Sequence, residues 1–195
     1  DDAAVLPVDD ASKIVISTDA LVEGIHFFGE EEVDLIAQKS LRTNLSDMAA
    51  MGATPWVYTL SLSLGPVPKG TLEQWVASFV KGLKKDQDKY DVGLIGGDTV
   101  SGSGPTVISI TIIGRADPRG VITRNGASVY DDIYVSGTIG DSAAGLKIIR
   151  EPVNDLAYSE QVYLKRRYYL PNPRVKLGKA LVGIASAAMD VSDGL

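Results

Sequence analysis

Between residues 33 and 64 the chain changes its hydrophobic period, and that change limits the folds open to it. In "VDLIAQKSLRTNLSDMAAM" (33–51) Val33, Ile36, Ala37, Leu41, Leu45, Met48 and Ala49 recur at intervals of three and four, which is the spacing of one helix face. Gly52 is a natural C-terminal stop. The next run, "WVYTLSLSL" (56–64), alternates large apolar with small polar residues, as a half-buried strand does. Its apolar set (Trp56, Tyr58, Leu60, Leu62 and Leu64) falls on one face. That face suits either core packing or a surface offered to a second copy of the chain.

The same two periods recur on either side. "KIVISTD" (13–19) reads as a strand. Thr71 and Gln74 form a capping box at the start of a helix to about Tyr90, with a stripe of Leu72, Trp75, Val76, Phe79, Val80 and Leu83. "VGLIGG" and "TVISITIIG" (106–114) are further strands. "DPRG" (117–120) marks a boundary, giving domains 1–116 and 117–195. Beyond it come a strand "DIYVSG" (132–137), helices over 141–150 and 159–169, the break "LPNPR" and a helix to about Ala185. A last strand, "AAMDVSDGL", runs into a turn. Strands and helices mix without strict βαβ alternation, which implies an α+β fold in two layers.

Composition narrows the function. Nineteen Lys+Arg against 25 Asp+Glu leave a net charge of −6 over 195 residues, which argues against a nucleic-acid surface. The absence of Cys excludes disulfides, thiolate metal sites and a Cys nucleophile, and it fits the cytoplasm. The longest uncharged segment is broken by Pro and Gly, so no membrane span is expected.

Acids stand out at the ends of elements. Asp1-Asp2 precede "AAVL", Asp19 closes "STD", Asp47 lies in "NLSD", Asp98 follows two glycines in "LIGGDT", and Asp190 and Asp193 lie in "DVSDGL". Each has small or hydroxyl-bearing neighbours and no Lys or Arg nearby in sequence. Singly, each fits a cap or a turn. Together, carboxylates and hydroxyls without thiols or several imidazoles form the donor set of a hard cation such as Mg²⁺. There is no Walker A loop and no GxGxxG. Arg124, in "RNGAS", is either a phosphate clamp or a solvated arginine. His26 is the sole histidine, so no Ser-His-Asp triad can be assembled with assurance.

The ordered series "DDAAVL", "STDALVEGIHF", "NLSDMAAMGA", "LIGGDT", "TRNGA", "GTIGDSAAGL", "LPNPR" and "DVSDGL" resembles the thiamine-monophosphate kinase family. That family lies in the superfamily of aminoimidazole ribonucleotide synthetase and selenophosphate synthetase. The resemblance implies a two-domain fold of that superfamily, with a homodimer formed through the sheet of the first domain and a second domain incomplete in this sequence. It implies ATP-dependent phosphorylation of thiamine phosphate to thiamine diphosphate with several Mg²⁺ ions. Carried over by motif, Asp2, Ser17, Thr18, Asp19, Asp47, Asp98, Asp190 and Asp193 would serve the metals. Gly97, Asp98, Arg124 and Ser192 would meet ATP, and His26 would meet thiamine phosphate. A second ATP-using enzyme of the superfamily, or a non-catalytic Mg-nucleotide-binding module, is the alternative.

Overall fold

The computed structural model describes residues 2–8, 13–67, 70–151 and 155–192. Among them a five-stranded sheet is formed by β1 (Ala4–Pro7), β2 (Lys13–Val22), β3 (Thr54–Leu64), β4 (Gly93–Ser101) and β5 (Val107–Arg115). The spatial order is β1-β2-β5-β3-β4, antiparallel except for the β3–β4 pair. Helices α1 (Val33–Ala50) and α2 (Leu72–Tyr90) pack against each other, and α1 lies across β2, β5 and β3. After the sheet come α3 (Asp141–Arg150), which packs against α4 (Tyr158–Tyr169), and α5 (Val175–Leu181), which packs on α1.

Period two decides which side of the sheet is core. Val15 and Leu21 of β2, Ile108, Ile110 and Ile112 of β5, and Tyr58 and Leu62 of β3 are buried with Ile36, Leu41, Leu45 and Met48 of α1. Their sequence neighbours point the other way, onto a face the helices leave open. There Thr18 and Thr111 are paired in register and their hydroxyls hydrogen-bond at 2.9 Å.

The two helix ends read from sequence take the expected form. At α1, Gly52 adopts φ +67°, Gly52 N–H donates to Ala49 O and Ala53 N–H to Met48 O, the double bond of a Schellman cap. At α2, Thr71 and Gln74 make the reciprocal capping-box bonds.

Four expectations need correction. The α2 stripe is narrower than its hydrophobicity: Trp75, Phe79 and Leu83 are buried, whereas Leu72, Val76 and Val80 are exposed, because α1 covers only one side of the helix. In β3 the alternating face is mostly core: Tyr58, Leu62 and Leu64 are buried under the helices, so this face is not available to a second copy. Trp56 leaves the stripe at a register shift and lies, exposed, against the Arg115 guanidinium at 4.1 Å. Strand β4 does not stop at the glycines but runs through Asp98 to Ser101. Finally, 132–137 and the described part of 187–195 are not strands, and α5 ends at Leu181. A strand exists only by pairing, and among the described residues no ladder partner lies beside Ile133 and Tyr134, both almost fully exposed.

Candidate active site

Four segments bring acids to one place at the edge of the core. β2 alternates, so Ser17 and Asp19 point toward α1 while Thr18 points to the open face. Asp47 lies in the last turn of α1, where the helix dipole already disfavours a negative charge. Asp2, just before β1, and Asp190, after α5, complete the group. One carboxylate oxygen from each of Asp2, Asp47 and Asp190 lies within 4.8 Å of the others. Ser17 Oγ donates to Asp47 Oδ2 at 2.5 Å and approaches the Asp2 carbonyl at 3.2 Å.

Burial and mutual repulsion decide the charge state. Burial pushes the Asp47 carboxyl up to about 7; the Ser17 hydrogen bond works against this, and the charges of Asp19, Asp190 and Asp2 add to it. Asp190 rises to about 6, again chiefly by burial, then through its hydrogen bond with Asp2, with Ser46 opposing. Asp19 is raised by burial and partly relieved by a Thr43 hydrogen bond and by His26. Asp2 goes the other way. Burial pushes it up most, but the hydrogen bond and charge of Arg124, together with hydrogen bonding from Asp190, outweigh that and hold it below the usual carboxylate value. Arg124 reaches Asp2 with Nη2 at 2.5 Å and Nε at 3.2 Å. Its turn is seated by Gly126, where a Cβ would collide with the carbonyl of Ser186, four residues before Asp190. Oxygen donors crowded so closely that Asp47 and Asp190 are driven toward the protonated form fit a hard divalent cation, whose charge would relieve their repulsion.

Asp2, Ser17, Asp19, Asp47, Asp190 and Arg124 are therefore together. Two expected partners are not. Asp98 pairs in register with Ser61, on the open face, and three strand spacings of about 4.8 Å separate β4 from β2. It accepts a hydrogen bond from Thr99 N at 2.8 Å and is exposed. Thr18 likewise has its hydroxyl on the open face. Gly97, at φ +151°, lies against the Leu60 carbonyl so tightly that a Cβ would collide, so strand packing alone demands glycine there. Ser192 is exposed, and Asp193 lies outside the described residues.

His26 sits in a turn directly after β2. Its Nδ1 accepts the Val22 N–H at 3.0 Å, which places the proton of the neutral ring on Nε2. Sequence reasoning missed Thr43 and Lys39. Thr43 precedes Asp47 by one helical turn, and that i,i+4 spacing was a usable signal. Lys39, beside His26, carried none, since a lone lysine in a helix normally reads as solvated.

Residues 1–116 match the family model "AIR synthase related protein, N-terminal domain". With more than half of its length matched, the chain belongs to that family. Among proteins named thiamine-monophosphate kinase, that of Caulobacter vibrioides is 45% identical over 195 residues, all of this chain and 53% of its own length. That of Escherichia coli is 42% identical and covered over 58%. The chain thus spans little more than half the length of these relatives. Among solved structures, the AaThiL complex with AMPPCP and TMP superposes with a TM-score of 0.90 at 30% identity, covering all of this chain and 60% of that one. The thiamine-monophosphate kinase of Stenotrophomonas maltophilia gives 0.85 at 40% identity, covering all of this chain and 61% of that one.

Proposed function

We propose that this chain supplies the metal- and nucleotide-binding part of a thiamine-phosphate kinase. The γ-phosphoryl group of ATP passes directly to the phosphate of thiamine phosphate, giving ADP and thiamine diphosphate. The observation that carries the reading is the convergence of Asp2, Asp47 and Asp190 from three remote segments. The names of the curated relatives, and a structural neighbour that holds AMPPCP and TMP, support the substrates.

Bound Mg²⁺ would neutralise phosphate charge and so let two polyanions approach. Asp2, Ser17, Asp19, Asp47 and Asp190 would hold it, with Asp193 as a further ligand; the Thr18 hydroxyl, bonded to Thr111 on the open face, would not reach it. Arg124, Gly97 and Ser192 would meet the nucleotide, and Nε2–H of His26 would donate to thiamine phosphate. A phosphate monoester has its second pKa near ~6, so the attacking oxygen needs no general base at neutral pH. Charge stabilisation and positioning then supply most of the catalysis. That suits a chain with one histidine and no cysteine, in which no phosphoenzyme is expected.

The open sheet face supports a homodimer. Ile14, Ile16, Val57, Val107 and Ile113 are half-buried there, with no helix above them among the described residues. Asp98 lies on this same face, on the far side of the sheet from the acids, so a second copy packed there would cover it. Two domains divided near residue 116 fit the same reading, and no helix among the described residues is long and apolar enough to cross a membrane.

The test is turnover by the full-length protein with ATP, thiamine phosphate and Mg²⁺, beside Asp47→Asn. We expect thiamine diphosphate from the wild type and a loss of about a hundredfold or more in the variant, the scale of removing one preorganised charge contact from a transition state. Nucleotide binding without product would leave a binding module, and product from another acceptor would leave another enzyme of the superfamily. A monomer at all concentrations in sedimentation would remove the dimer.

A further inference from the structure

The turn that carries His26 is fastened through its own carbonyl. Lys39 of α1 donates to His26 O at 2.7 Å, and the Tyr168 hydroxyl of α4 reaches the same oxygen at 3.4 Å. Lys39 Nζ also stands 3.7 Å from the centroid of the Tyr168 ring. Tyr168 is itself buried, edge-on to Tyr169 at 5.4 Å and tilted against Phe28 at 6.0 Å. Within the turn, His26 N–H and Ile25 N–H both donate to Val22 O, Gly24 N–H donates to Phe27 O, and Val22 N–H holds the imidazole at Nδ1. The ring is thus fixed in tautomer by β2 and in height by α1 and α4.

We propose that Lys39 is the positioning residue for recognition of thiamine phosphate. Its ammonium, held between the His26 carbonyl and the Tyr168 ring, sets the imidazole so that Nε2–H meets the substrate phosphate. The proposal rests on the reading of His26 given above.

Stability alone does not favour a lysine here. Burial pulls the Lys39 ammonium down to about 8, with Glu31 supporting the charge only from a distance. Among the described residues no carboxylate forms an ion pair with it. One carbonyl and one ring face are modest compensation for desolvating an ammonium, and an aliphatic side chain would fill the same space without that cost. What an aliphatic residue cannot do is grip the His26 carbonyl from one side and Tyr168 from the other. The charge also gives the His26 end of the site a positive potential, which favours a dianionic phosphate.

Steady-state kinetics of the full-length protein test this. Loss of one charge-assisted hydrogen bond to the turn should raise KM for thiamine phosphate about tenfold in Lys39→Met. The kcat and the KM for ATP should stay near wild type, and the melting temperature should not fall. Lys39→Arg, which keeps donor and charge, should recover most of the loss, and Tyr168→Phe should cost less than Lys39→Met. Because both residues act through one contact, Lys39→Met combined with His26→Ala should be no worse than His26→Ala alone. Multiplying defects in the double variant, or an unchanged KM in Lys39→Met, would overturn the proposal. An unchanged KM in His26→Ala would instead overturn the role of His26 on which it stands.

Discussion

Two groups of buried charge sit on α1 barely more than a turn apart, and they are built on opposite principles. Arg42 faces Asp86 of α2 with Nε at 2.6 Å and Nη2 at 2.8 Å, and its remaining donors go to Gln38 and the Pro171 carbonyl. Burial works against the arginine's charge, yet the Asp86 hydrogen bonds hold it above its ordinary value. Five residues on, Asp47 meets Asp2, Asp19 and Asp190, charges of its own sign, with Arg124 as an opposing charge. The first group is satisfied within the fold. The second is left short of positive charge, and a ligand can supply what is missing. Buried charge by itself therefore says little about function, whereas buried charge of one sign says a good deal.

The largest effect that tests this contrast falls on the satisfied pair. Arg42→Met strands Asp86 without a partner in the core, and breaking a buried pair this way costs about 3–5 kcal/mol. At ~2–4 °C per kcal/mol, the melting temperature should fall by about 10 °C. Arg42→Met with Asp86→Leu should recover most of it, since removing both charges also removes the desolvation cost. An unchanged melting temperature in the single variant would mean that the pair is not structural.

The acidic group should respond with the opposite sign. Asp47 has its pKa raised to about 7 from an ordinary 3.8, so the folded protein keeps a proton that the unfolded chain has released. Stability from this group is complete below the ordinary value and drains away as pH rises through about 7. Without metal, Asp47→Asn should match the wild type only near pH 4, gain on it progressively through pH 5 to 7, and melt on the order of 5 °C higher near pH 8. Mg²⁺ should stabilise the wild type and close that gap. A difference that stays flat from pH 5 to 8 in thermal melts would show that Asp47 is not repelled as described.

What could be read from the residues follows the same division. Local rules found α1, α2, their caps and the core face of the sheet, because Gly52, Thr71 and the alternation in "WVYTLSLSL" act within a few residues. They also marked Asp2, Asp19, Asp47 and Asp190 as a set, since hydroxyl-flanked acids at element ends share a chemistry wherever the chain takes them. They could not find Arg124 on Asp2, a contact made across 122 residues, nor Asp86 waiting for Arg42. They also set Asp98 among acids that lie across the sheet from it, because a strand's face depends on register and register is not local. The exposed run around Tyr134 fails for a related reason: its pattern is strand-like, but a strand needs a neighbour.

The smallest expected effect concerns the arginine that pairs with Asp2 in the acidic site. Arg124 is about half exposed (47%) while the Asp2 side chain beneath it is 1% exposed, so the guanidinium lies over the acid as a lid. A cation entering the site must take Asp2 from it, and the guanidinium is then available to a nucleotide phosphate. On the reading proposed above, Arg124 would oppose cation binding before nucleotide arrives and favour it afterwards. An ion pair open to water is weak, so the opposition is modest. In Arg124→Gln, Mn²⁺ used as a probe should bind on the order of threefold more tightly without nucleotide, read by paramagnetic resonance or calorimetry. ATP should bind the same variant more weakly, because a bidentate phosphate donor is gone. If Mn²⁺ instead binds Arg124→Gln more weakly without nucleotide, then Arg124 holds Asp2 in place for the metal rather than competing with it, and the contrast between the two charge groups on α1 narrows accordingly.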